Sequence, residues 1–198
     1  MYRAITSFLG ITCAAVLSAA AAAGADTIVG DQAHSSAEFV VTHMAISSVH
    51  GTIPIVALQA TVDSHFIPQS IEAKLDATAI DTHYADRDKD LRSSSWFNVA
   101  VYPTIEFKST KIIPSSNGKF EVPGILTIHG VSKPVRLDAK FLGSVVDGRG
   151  RTHAGYTATT TVDRRDFGLN WGKTTPAGQL MVADEVGINL NIEGILQK

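Results

Sequence analysis

A period of two runs through this chain and constrains its fold more than any other feature. Ile71, Ala73, Leu75 and Ala77 alternate with Glu72, Lys74 and Asp76. Val135, Leu137, Ala139 and Phe141 alternate with Arg136, Asp138 and Lys140, and Val186, Ile188, Leu190 and Ile192 with Gly187, Asn189, Asn191 and Glu193. Successive side chains of a strand point to opposite faces, so each run has one wet face and one dry face. Strands half-wet in this way belong to antiparallel sheets. Turn signals at residues 115–119, 129–134, 146–150 and 175–178 separate the runs. Many such strands in one domain imply an all-β sandwich or barrel.

One segment lacks the period. Between His83 and Val99, Leu91 stands among charges and is followed by Trp96 and Phe97. It reads as a short helix near residues 86–95 that ends in an aromatic plug.

The first residues read as a leader rather than as part of the fold. Arg3 supplies a positive charge, an apolar run extends from Ile5 to about Ala23, and Ala23-Gly24-Ala25 has the small-x-small form of a cleavage site. Residues 1–25 are therefore expected to be a secretory signal peptide, and 26–198 one domain. The sole cysteine, Cys13, lies in the leader, and Gly10 and Thr12 before it do not fit a lipoprotein signal. A mature chain without disulfides relies on core burial. Removing 25 of 198 residues leaves 173, enough for a substantial core. The net charge is −2 and becomes −3 once Arg3 is removed. No basic patch points to nucleic acid, and no second apolar run of about twenty residues points to stable membrane insertion after cleavage.

Motifs for catalysis or metal binding are weak. Asp86, Asp88 and Asp90 open like a calcium loop, but its sixth and twelfth positions hold Leu91 and Phe97, so the charges read as the solvated face of a helix. The stretch Gly148–Gly155 resembles a phosphate loop but lies between strands, as a hairpin loop would. The seven histidines have no chelating spacing, so a metal site would need tertiary assembly and none is expected. In the run His34–His43, Ala37, Phe39, Val41 and His43 share a face opposite Glu38, which turns His43 inward. An inward histidine needs a hydrogen-bond partner. It is either a core strut or the polar group that meets a ligand.

Five stretches together resemble a known family. His34–Ile53 resembles its opening signature, His-Ser-x-x-x-Phe-x-Val-x-His followed by a glycine. Arg87–Thr110 resembles its Arg-Asp-x-x-Leu-Arg-Ser, paired aromatics, Tyr-Pro-Thr and Phe-x-Ser. Val122–Leu137 is similar to its Gly-x-Leu-Thr-x-x-Gly-Val-x-Lys-Pro-Val, Val162–Trp171 to its Arg-x-Asp-Phe-Gly, and Val182–Gly194 to its closing strand. This is the YceI-like family of periplasmic polyisoprenoid-binding proteins. The resemblance covers nearly all of the mature chain. It implies an extended eight-stranded antiparallel lipocalin-like barrel with a helix near one end. A long isoprenoid, a polyisoprenoid quinone or a similar fatty lipid would lie in the lumen. Trp96 departs from the pattern, because a smaller ring is more usual there.

Resemblance and face assignment together nominate Phe39, Val41, His43, Leu75, Ala77, Phe107, Leu126, Ile128, Leu137, Phe141, Ile188 and Leu190 as lumen lining. Trp96, Phe97, Phe167 and Trp171 are expected near the mouth. The expected role is a periplasmic lipid carrier or store. The expected partner is a hydrophobic small molecule, with no cofactor, no nucleic acid and room for a homodimer. The alternative is an enzyme acting on the bound lipid with His43 as general base, but no acid partner for His43 is evident in the sequence. The leader reading has a direct check. The intact mass of protein from a periplasmic extract should begin at Asp26, and full-length chain in the membrane fraction would refute cleavage after Ala25.

Overall fold

The computed structural model describes residues 25–197. Residues 1–24, on which the leader reading rests, lie outside the described residues. Eleven strands and one helix follow in order. They are β1 (Asp26–Gly30), β2 (Ser36–His43), β3 (Ser47–Thr52), β4 (Ile55–Val62), β5 (Pro68–Asp76), α1 (Ala85–Arg92), β6 (Thr104–Ser109), β7 (Ile113–Pro114), β8 (Lys119–Ile128), β9 (Val131–Val146), β10 (Thr152–Asp163) and β11 (Val182–Gln197).

The eleven strands make a closed antiparallel barrel of eight. Both β1 and β2 run along β11, with Ile28 opposite Leu196 and Val41 opposite Val186. They are two segments of one barrel strand, interrupted at residues 31–35. Likewise β3 pairs β2 while β4 pairs β1. The circuit continues through β5, β6, β8, β9 and β10 to β11, and β7 is a short appendage on β8. Turns follow their residues. His129 and Gly130 both have positive φ (52° and 74°) and join Ile128 to Val131 in a two-residue hairpin. The turn expected over 129–134 is thus tighter, and Val131–Pro134 belong to β9.

The alternation places its side chains as expected. On β9, Leu137 and Ala139 are buried while Arg136, Asp138 and Lys140 are exposed. The interior core gathers Val122, Phe167, Ile80 and Phe120. Cross-strand pairs cover the outside, such as Lys108–Glu72 (2.6 Å) and Lys74–Glu106 (2.8 Å). Exposed pairs add little stability, but they mark the wet face. A charged exterior around an apolar interior is the inverse of a lipid-facing barrel. Among the described residues no helix is long and apolar enough to cross a membrane.

The helix is shorter than expected, and one of its charges is not solvated. It ends at Arg92, after which Ser93 is extended and the chain turns through residues 93–95 to bring Trp96 inward. Asp88 is buried. Its carboxylate accepts the Thr82 backbone N–H (2.9 Å) and the Thr82 hydroxyl (2.5 Å), which ties the helix to the segment before it.

The β1–β11 seam is packed without slack. A Cβ at Gly194 would collide with Cγ2 of Ile28, a β-branched side chain that is 1% exposed. Gly194→Ala is therefore expected to lower stability by about 1–3 kcal/mol, the usual cost of overpacking a core. Urea denaturation followed by circular dichroism measures this, and an unchanged midpoint would show that the seam yields.

Candidate functional site

A cavity of about 410 Å³ runs through the interior of the barrel. Its lower end, where β1 starts and β11 finishes, is lined by Ile28, Ala60, Pro68 and Tyr156. Its upper end lies under α1 and residues 164–181. There the walls include His43, Arg87, Asp90, Trp96 and Trp171. Between the ends the walls are mostly apolar, with Glu38, Thr157 and Thr160 the polar residues among them.

Of the nominated residues, Phe39, Val41, His43, Leu75, Phe107, Leu126, Ile128, Leu137, Ile188 and Leu190 all line this cavity. So do Trp96, Phe97, Phe167 and Trp171, at its upper end. Two do not. Strand β5 ends at Asp76, so Ala77 begins a 3-10 turn and is packed in the core at 1% exposure. Phe141 stacks on Phe66 (centroids 5.9 Å) and leans on Tyr156 (5.4 Å). The ring belongs to an aromatic group at the lower end, and just beyond it Leu142 is the extra residue of a bulge against Gly155 and Tyr156.

That lower group carries its own polar solution. Burial pushes the Tyr156 phenol well above its usual range, so it stays neutral. Its hydroxyl donates to the Phe66 carbonyl at 2.9 Å.

The upper end holds the residues that sequence reasoning missed. Arg164 is only 3% exposed, yet it carries a guanidinium. Its Nε donates to the Ala183 carbonyl (3.0 Å), Nη1 to the Leu169 carbonyl, and Nη2 to the Val182 carbonyl (3.2 Å) and Asp184 Oδ1 (2.8 Å). Burial pulls its pKa down, and the Asp184 charge opposes that shift. The guanidinium lies 5.4 Å from the centroid of Trp96, and Trp96 stacks on Trp171 at 5.1 Å. Trp96 Nε1 donates to Asp90 Oδ2 (3.1 Å). Arg164 opens the Arg-x-Asp-Phe-Gly motif, but nothing local marks it as buried. Its carbonyl partners come from β11 and the turn before it.

His43 differs from these. It lies on the cavity wall, but its ring makes no side-chain hydrogen bond or ion pair among the described residues. No carboxylate orients it, as a general base would require. Arg87 also lines the cavity and has no carboxylate partner within ion-pair distance among the described residues. Its Nε and Nη2 donate to Thr82 Oγ1 (2.7 Å) and the Thr82 carbonyl (2.8 Å).

Comparison with known proteins follows the same outline. Residues 29–194 match the YceI-like domain. A UPF0312 protein of Vibrio cholerae is 33% identical over 193 residues, covering 96% of this chain and 97% of the relative. Among solved structures, BcnA of Burkholderia cenocepacia superposes with a TM-score of 0.71 at 21% identity, covering 83% of this chain and 98% of that one. A polyisoprenoid-binding domain from Saccharophagus degradans, implicated in plant cell wall breakdown, gives 0.59 at 13% identity, covering 88% of this chain and all of that one.

The upper end depends on Arg164 more than its sequence indicates. Arg164→Ala would leave three carbonyls without their donor and a partly buried Asp184 with only Arg165 beside it. Removing one partner of a buried pair costs on the order of 3 kcal/mol. Chemical denaturation should show a loss of that size together with weakened near-UV tryptophan circular dichroism. A variant as stable as the parent would mean that the guanidinium is dispensable.

Proposed function

The chain belongs to the YceI-like family, and from that premise we propose that it is a binding protein which holds a long prenyl or similar fatty lipid in its lumen and carries or stores it in the periplasm. One observation carries this reading: a largely apolar cavity that runs from Ile28 and Tyr156 at the lower end to His43, Arg87 and Trp96 at the upper end. A slim hydrocarbon chain fits such a space. At about 25 cal/mol per Å², burying several hundred Å² of it contributes roughly 10 kcal/mol before the costs of ordering. The Saccharophagus domain of the same fold is described as polyisoprenoid-binding, which supports the ligand class. The leader-like residues 1–25 support the compartment.

Polar groups would orient the ligand. His43 and Arg87, both on the upper lining, would meet a hydrogen-bonding head group, and the tail would extend toward Tyr156. Binding rather than catalysis is favoured, because His43 has no orienting carboxylate among the described residues.

Mass spectrometry of lipid extracted from the purified protein tests the reading, and an empty extract from protein prepared without detergent would count against it. Two neighbouring variants on β9 then test the lumen. Leu137→Arg places a charge in an apolar cavity at a cost of several kcal/mol, and it should unfold the barrel or empty it. Arg136→Leu removes only an exposed ion pair to Glu121 (3.2 Å) and should do neither. If both variants fold and retain the same lipid, the cavity is not the binding site. His43→Ala should keep most of the lipid and bind it a few-fold more weakly, the weight of about one hydrogen bond. An undiminished affinity would remove His43 from the head-group site.

A further inference from the structure

Outside the lumen, the fold assembles a cluster that no spacing in the sequence reveals. Asp31 and His34 lie in the break between β1 and β2, and Glu193 lies on β11 opposite them. One ligand atom from each of these three residues lies within 4.8 Å of the others. Asp31 Oδ2 is 3.0 Å from His34 Nδ1, a hydrogen bond whose proton a bound ion would displace, and Glu193 Oε1 is 4.0 Å from the same nitrogen. We infer that Asp31, His34 and Glu193 form a binding site for a divalent transition-metal ion of the zinc type on the outer wall of the barrel.

The geometry is close to what such an ion requires. Metal–ligand bonds of about 2.1 Å at tetrahedral angles set neighbouring ligand atoms about 3.4 Å apart, and the separations of 3.0 and 4.0 Å straddle that value. The donor set is one imidazole and two carboxylates, which suits zinc, cobalt or nickel better than the all-oxygen ions. Three protein ligands leave the fourth position to water.

The ligands are also held from behind. Asp31 Oδ1 accepts the Ala33 N–H (2.9 Å), which leaves Oδ2 to face His34. The Glu193 backbone is clamped on both sides. Its carbonyl accepts from the Asp31 N–H (2.7 Å) and the Ser35 hydroxyl (3.2 Å), and its N–H donates to Ser35 Oγ (3.1 Å). His153 Nδ1 lies 2.8 Å from Glu193 Oε1, and its Nε2 lies 3.2 Å from Asp147 Oδ2. Asp147 is in turn fixed by Arg151 at 2.8 Å. Chains of this kind behind a ligand fix its orientation and strengthen metal sites. The sequence-based expectation of no metal considered local chelation, and here one ligand comes from the far end of the chain.

An ion bound there would pin the β1–β2 break to β11. Because it binds the folded chain alone, it would also raise the melting temperature. The test uses tag-free protein, stripped with chelator and kept in mildly alkaline buffer where imidazoles are neutral. Calorimetric titration with Zn²⁺ should give one equivalent, and Co²⁺ should produce a visible absorption band. His34→Ala should weaken Zn²⁺ binding by at least about tenfold and abolish the metal-dependent rise in melting temperature. His34 is 65% exposed, so this variant should melt like the parent without metal. His43→Ala should bind Zn²⁺ like the parent. No binding by the parent would overturn the proposal. Binding undiminished in His34→Ala, or lost in His43→Ala, would overturn it equally.

Discussion

The barrel depends on how β11 is sealed. Along one side β11 pairs with β10 from Glu185 to Ile195. Along the other it must find partners for its whole length, or the sheet has two open edges that invite pairing with other chains. The chain meets that need with two strands, β1 and β2, which leave a gap at residues 31–35. Backbone groups in the gap are not abandoned. Glu193, the residue facing it, pairs its carbonyl with Asp31 N–H and both its backbone groups with the Ser35 hydroxyl. A side chain thus supplies part of what a missing ladder would have supplied. The detour also turns Asp31 and His34 outward, toward the Glu193 side chain.

The wall and the aromatic residues of the upper end were legible in the sequence, and the polar contacts that hold the ends were not. Alternation places Leu137 inside and Arg136 outside because a one-residue slip would reverse both. That logic holds only while a strand continues in register. It fails at Ala77, where the apolar pattern runs one residue past the end of β5. At Phe141 the alternation still turns the ring inward, but there the ring stacks on Phe66 and packs against the core instead of lining the cavity. It says nothing of Asp88, whose burial follows from Thr82 folding back over it. Arg164 and the Asp31–His34–Glu193 group are invisible for the same reason, since their partners arrive from distant strands.

The two ends solve the problem of burial differently. At the lower end Phe66, Phe141 and Tyr156 pack ring against ring, and the one hydroxyl among them is satisfied internally. At the upper end a buried cation is satisfied by three carbonyls and one carboxylate, which fixes the 164–171 segment against β11. Buried charges of this sort add little net stability compared with apolar packing of the same volume. What Arg164 adds is position. Its donors require the start of β11 and the turn at Leu169 to stand at one separation, and its planar face carries Trp96.

That placement bears on what the lumen can select. Burial of hydrocarbon is non-directional and scales with area, so an apolar wall discriminates poorly between chains of similar girth. Selection must come from width and from the few polar groups. At the upper end the Trp96–Trp171 stack forms part of the wall, and Arg164 and Asp90 both hold Trp96. A smaller ring at position 96 would lose both the stack and the indole hydrogen bond. The indole therefore occupies the upper wall and is held there by three partners at once. In the proposed binding mode, a chain entering at this end would pass the indole on its way to His43 on β2 and Arg87 on α1, so the residue at position 96 would bear on both girth and head-group placement.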